Sequence, residues 1–212
     1  FNRTKGFGAW AHEFVKGKFF GSLGSSASTL EYEGGRGGVD SGELYGRLDY
    51  ALNPFSLFSV QAGYKEHFME NEEGENNNIK SPTGLISFMM QPTKEMSINT
   101  SVSYDTFESS LPQFNMRESI KYSLGLRYKV TPKISVSQNV MIMESLYNEE
   151  YLRYDYDEDT RDDLITVVMQ NVTYQINPFH TIEGSWMLTK VNSFNTPEVL
   201  RNKAYLGYKF SF

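Results

Sequence analysis

Cysteine is absent from the 212 residues. Its absence removes disulfide scaffolds, thiolate zinc sites and cysteine nucleophiles together, and it suits an oxidising compartment in which stray thiols are a liability. Long hydrophobic runs are missing as well. Mean hydropathy is -0.47, and no stretch approaches the roughly 18 to 20 consecutive apolar residues that a membrane-spanning helix requires. A helical membrane protein is excluded on that ground. Basic charge is also in short supply: 20 Lys and Arg against 26 Asp and Glu give a net charge of -6, which argues against nucleic acid as a partner. The chain opens on Phe1 with no charged-then-apolar leader and is read as a processed mature form or a fragment.

Aromatic residues are plentiful, with 15 Phe and 14 Tyr against 2 Trp. Proline supplies the punctuation. Four of the seven prolines lie in similar short contexts, Leu52-Asn53-Pro54-Phe55, Met90-Gln91-Pro92-Thr93, Val130-Thr131-Pro132-Lys133 and Ile176-Asn177-Pro178-Phe179, spaced by 38, 40 and 46 residues. Proline cannot donate to a sheet ladder and presets a turn, so each marks a tight reversal between two strands. Between them lie long, mostly acidic connections at 66–81, 105–118 and 145–162, with another at 192–201 after the last proline turn.

The intervening segments alternate with period two, the signature of a strand with unlike faces. In the clearest one, Ile120, Tyr122, Leu124, Leu126, Tyr128 and Val130 fall on one face, and Lys121, Ser123, Gly125, Arg127 and Lys129 on the other. Met96, Ile98, Val102 and Tyr104 oppose Ser97, Asn99, Ser101 and Ser103, and Ala204, Leu206, Tyr208 and Phe210 oppose Tyr205, Gly207 and Lys209. Gln138 and Gln170 break the pattern by falling on apolar faces, and residues 85–90 are apolar on both. Readable strands run to about 10 to 13 residues, longer than the usual 5 to 6 and suited to a tilted bilayer crossing of about 9 to 11.

The ending carries the most specific pattern. Tyr205, Gly207, Phe210 and Phe212 form a polar-x-Gly-x-x-aromatic-x-aromatic terminus. In this, and in its alternation of short turns with long loops, the chain resembles bacterial outer-membrane β-barrel proteins, a broad class with no narrower family indicated. The resemblance implies an all-β fold, a closed antiparallel transmembrane β-barrel in the outer membrane of a Gram-negative bacterium, with short periplasmic turns and long extracellular loops. It also implies outer-membrane lipid and the barrel assembly machinery as partners, the latter reading Tyr205, Gly207, Phe210 and Phe212 as an assembly signal. Another envelope protein is a further candidate partner. No cofactor is expected.

Counting connections from residue 43 gives nine strands. Closed single-chain barrels in bacteria have an even number, so a tenth is expected from Val15 to Leu23, ahead of the Gly-rich stretch at 34–42. Ten strands are therefore expected within a barrel at 15–212, and residues 1–14 are left as an extension of the first strand, a periplasmic segment or a plug.

Residues 66–80 carry a net -4 and residues 144–163 a net -7, so the rest of the chain is at +5. Part of that excess is expected to line the lumen, in Arg47, Lys65, Lys121, Arg127, Lys129 and Lys209, with Asp49 and Glu183 as partners. Because eight strands are just filled by side chains, ten leave little bore, and a wide general porin is not expected. Asp155, Asp157 and Asp159 begin like a calcium loop, but Thr160 stands where the tight turn needs Gly and Thr166 where a bidentate Glu belongs. A solvated acidic loop is the reading taken, with no metal site. Outer-membrane proteases of the omptin type use Asp and His at the outer rim, where His67 and Glu66 fall, yet no motif match supports catalysis and no enzyme is expected. The function classes are a narrow channel or translocation pore for transport, and a structural or adhesive barrel acting through its acidic loops and a partner.

Overall fold

The computed structural model describes residues 2–31, 39–70, 76–108, 116–147, 161–193 and 197–210, all in strands or the turns joining them. Eleven strands follow one another: β1 (Asn2–Val15), β2 (Phe19–Glu31), β3 (Val39–Asn53), β4 (Ser56–Glu70), β5 (Asn76–Met90), β6 (Met96–Glu108), β7 (Met116–Lys129), β8 (Ile134–Tyr147), β9 (Arg161–Asn177), β10 (His180–Ser193) and β11 (Val199–Phe210). They hydrogen-bond in chain order as one antiparallel meander, with β1 and β11 at the two ends of the order. No helix among the described residues is long and apolar enough to cross a membrane, which says nothing about crossing by strands.

Among the described residues the strands number eleven, not the expected ten. The nine expected from residue 43 onward are β3 to β11, but Val15 to Leu23 is not a strand. It contains a reversal at Lys16-Gly17-Lys18, and residues 2–15 form β1, paired with β2 through Ala9↔Gly24 and Ala11↔Ser22. Gly17 adopts a φ of 67°, a left-handed conformation that costs a residue without Cβ little, and the Lys18 amide donates to the Val15 carbonyl at 2.9 Å. This turn is closed by glycine, so proline spacing does not reveal it.

Side chains ahead of the strands close most of the proline turns. Asn53 Oδ1 accepts from the Phe55 amide at 2.8 Å, and Asn177 Oδ1 from the Phe179 and His180 amides at 2.9 and 3.0 Å. Thr131 Oγ1 accepts from the Ile134 amide at 3.0 Å. These are Asx- and Thr-type turns, in which a short side chain replaces a backbone acceptor. At the opposite end the connections are shorter than expected, because acidic residues such as Glu66 and Asp105 remain within β4 and β6. A charged side chain does not interrupt a ladder made by the backbone.

By contact the chain divides into two compact units: Phe1–Ile86 with Ser103–Thr106, and Ser87–Val102 with Phe107–Phe212. Burial is inverted relative to a water-soluble domain. Among the described residues only Ile79, Met116 and Tyr147 are buried hydrophobics, whereas 36 large hydrophobic side chains are exposed; the buried polar groups include Ser59, His67, Ser81, Thr83, Thr106, Ser119, Ser145 and Asp163. Soluble proteins rarely expose contiguous apolar surface beyond a few hundred Å². Directly opposed residues of paired strands share a face, so register shows where that surface lies. In the first unit it includes Leu48 beside Val60 and Tyr50 beside Phe58. In the second it includes Leu124, Val140, Val168 and Leu188 across four strands. Gln138 and Gln170, the two exceptions to alternation, sit opposite each other on this same outer face.

Candidate functional site

The opposite, polar face carries the charged residues singled out from the sequence. In the first unit the two bases singled out from the sequence are each paired with a carboxylate. Arg47 and Asp49, two residues apart on β3 and hence on one face, form an ion pair with Nε at 2.9 and 3.1 Å from the two carboxylate oxygens; Arg47 Nη2 also donates to Ser59 at 3.3 Å. Glu43 accepts from Thr83 at 3.0 Å and from Ser26 at 3.4 Å. Lys65, opposite Glu43 in the register, reaches Asp105 at 3.0 Å and the Thr106 carbonyl at 2.9 Å. Asp105 was expected in a loop. Its pairing with Lys65 across 40 positions becomes visible only once β6 is known to continue to Glu108.

His67 lies on the same face, opposite Ser41, and is only 4% exposed. Its Nε2, Ser81 Oγ and Thr106 Oγ1 are buried without a hydrogen-bond partner. Glu66, next to it in sequence, points to the other face and meets Lys80 at 3.4 Å. The two side chains considered together at the rim are therefore separated by the sheet. On the outer face of this unit, Trp10, Phe14, Leu23 and Leu48 border a shallow apolar groove of about 450 Å³ floored by Gly21, Gly46 and Ala62.

The second unit differs. Lys121, Arg127 and Lys129 lie on one face of β7, opposite Met143, Ser137 and Ser135 of β8. Lys209, Arg201 and Lys203 of β11 lie opposite Thr181, Thr189 and Met187 of β10, on the face that also carries Glu183. Among the described residues none of these six bases forms an ion pair within 4.0 Å. Glu183, expected as a partner for the bases, lies on this same face opposite Gly207 and Thr173 in the register and forms no ion pair within 4.0 Å among the described residues. Near the loop end, the directly opposed Ser119 and Ser145 share a hydrogen bond of 3.0 Å and are both buried, and Arg117 reaches the Tyr147 hydroxyl at 3.5 Å.

The carboxyl-terminal pattern divides between the faces. Tyr205 and Gly207 lie on the polar face, where a Cβ at residue 207 would meet Tyr205 Cζ at 2.8 Å, so the tyrosine ring occupies the space that glycine leaves. Phe210 lies on the outer face with its ring centroid 5.0 Å from that of His180. Phe212 falls outside the described residues, as do Asp155, Asp157 and Asp159. No group of three or more His, Asp or Glu able to hold a metal occurs among the described residues.

No protein-family model and no curated protein matches the chain. Solved structures do. The outer membrane channel DcaP of Acinetobacter baumannii is similar with a TM-score of 0.70 at 12% identity, over 96% of this chain and 61% of that one. The FrpB iron transporter of Neisseria meningitidis has a TM-score of 0.67 at 8% identity, over 87% and 34%. The ferripyoverdine-binding protein FpvA of Pseudomonas aeruginosa gives 0.62 at 10%, over 99% and 38%. The fold is that of bacterial outer-membrane β-barrel proteins. The chain spans between about a third and three fifths of the length of these three structures.

Proposed function

We propose that the chain forms the wall of a closed transmembrane β-barrel in the bacterial outer membrane and contributes a basic surface to a narrow channel or translocation path for anions. Supporting this, Leu124, Val140, Val168 and Leu188 face outward while the polar face of the second unit carries bases that form no ion pair within 4.0 Å among the described residues. A soluble protein with 36 exposed large hydrophobics would aggregate; in a bilayer the same side chains are solvated by lipid. Aromatic residues cluster on the outer face near the short turns, among them Phe19 beside Tyr50 and Tyr50 beside Phe58, with Tyr174 and Tyr208 flanking Ile182. This matches the girdle expected at a lipid–water boundary. In this orientation the short turns are periplasmic, the acidic connections are extracellular, and the barrel assembly machinery reads the terminus at Tyr205 to Phe212.

Unneutralised like charges along a path attract counter-ions and repel co-ions. In planar bilayers the purified protein is expected to conduct weakly and with anion preference. Arg127→Glu with Lys129→Glu, which changes the local charge by four units, shifts the reversal potential toward cations. Absence of conductance, together with no effect of the double substitution, contradicts the channel and favours a barrel that acts through its extracellular loops. The ion pairs of Arg47 and Lys65 support that second reading, because they show part of the polar face already neutralised from within.

A further inference from the structure

The polar face of the second unit contains a patch that is not polar. Met141 and Met143 of β8, Ile165, Val167 and Met169 of β9 and Met187 of β10 lie on it together, since Met143 opposes Ile165, Met141 opposes Val167 and Met169 opposes Met187. Four of the nine methionines of the chain are gathered there. With strands about 4.8 Å apart and same-face neighbours about 6.8 Å apart, the patch measures roughly 10 by 14 Å. Its two flanks are basic: Lys121 sits directly opposite Met143, and Lys203 directly opposite Met187. The outer faces of these strands carry Val140, Val168 and Leu188, so the apolar character of the inner patch is additional to the lipid-facing surface.

We infer that this patch binds an amphipathic organic anion, its apolar body on the methionines and its acidic group held by Lys121 or Lys203. Methionine is unbranched and polarizable and fits apolar bodies of varied shape. Lysine ammonium groups carried on long stems and without carboxylate partners among the described residues are free to meet an anionic head. A patch that only packed against more protein would not require bases on both flanks, and a path for small inorganic anions would not require an apolar centre. The inference rests on the proposed channel reading in that the polar face must be open to solutes, and it names the class of solute.

The test uses the full chain labelled with ¹³C-methyl methionine and reconstituted in lipid nanodiscs, titrated separately with acetate, hexanoate, octanoate and octanol. Octanoate is expected to shift the methyl signals of Met141, Met143, Met169 and Met187 saturably while leaving Met96 in place. Acetate and octanol are each expected to bind at least tenfold more weakly, and affinity is expected to rise by about two- to fourfold per methylene from hexanoate to octanoate. Lys121→Gln with Lys203→Gln, and separately Met143→Ser with Met187→Ser, each weaken octanoate binding at least fivefold. If a variant fails to fold, the chain-length series on the unaltered protein decides alone. Overturning results are no saturable shift at the four methyls, equal binding of acetate, or a flat chain-length series. Conductance measured in parallel separates the two readings: current without a methyl response removes this site and leaves the channel, and a methyl response without current leaves the site and removes the channel.

Discussion

The polar faces of the two units treat charge in opposite ways. On the first, every base singled out from the sequence has found a carboxylate, Arg47 with Asp49 and Lys65 with Asp105, and Glu43 is held by Thr83 and Ser26. On the second, Lys121, Arg127, Lys129, Arg201, Lys203 and Lys209 stand without ion pairs among the described residues, around a methionine-rich patch. Composition alone would describe both faces as polar and mixed. The difference lies in register. Asp105 reaches Lys65 because β6 continues through it to Glu108, whereas the neighbours of Lys129 across β8 and β9 are Ser135 and Thr173. A compensated face suits a structural wall, and an uncompensated one suits contact with something negatively charged.

The sharpest way to break this contrast is to remove one partner on each face. Asp105→Ala removes the carboxylate 3.0 Å from Lys65, whose side chain is 15% exposed, and is expected to cost about 2 kcal/mol in urea unfolding from lipid vesicles. Arg127→Ala removes a charge that forms no ion pair among the described residues, and is expected to change stability by less than about 0.5 kcal/mol in the same measurement. Equal losses would mean that Arg127 has a partner after all. Between these lies Ser119→Ala. It strands the buried Ser145 hydroxyl near the loop end of the second unit and is expected to cost about 1 kcal/mol. A similarly small effect is expected at Lys190 and Glu198, an ion pair of 3.0 Å with half-exposed side chains, where Lys190→Ala is expected to change unfolding by no more than about 0.5 kcal/mol.

Much of the fold is legible in the residues, because alternation and turn chemistry are local. Ile120 to Val130 reads directly as a two-faced strand, and Asn-Pro and Thr-Pro steps locate the turns that Asn53, Thr131 and Asn177 close. The reversal at Gly17 was not legible by proline spacing, since one left-handed glycine does the same work without it. The strands continue past Glu66 and Asp105 because charge marks a loop only loosely and backbone pairing is indifferent to an exposed carboxylate. The methionine patch departs from strict alternation of lipid-facing apolar and inward polar residues. Leu164 to Met169, apolar at five of six positions, is the local signal that both faces of β9 are apolar there. The pairing of Lys65 with Asp105 had no local signal at all.

Since the chain lacks cysteine, single cysteines can be placed one at a time from Tyr122 to Arg127 of β7 and treated, in reconstituted vesicles, with a charged membrane-impermeant thiol reagent. A membrane wall with an aqueous polar face predicts labelling at Ser123, Gly125 and Arg127 and protection at Tyr122, Leu124 and Leu126, repeating every second residue. Uniform labelling along the strand, or uniform protection, would contradict it.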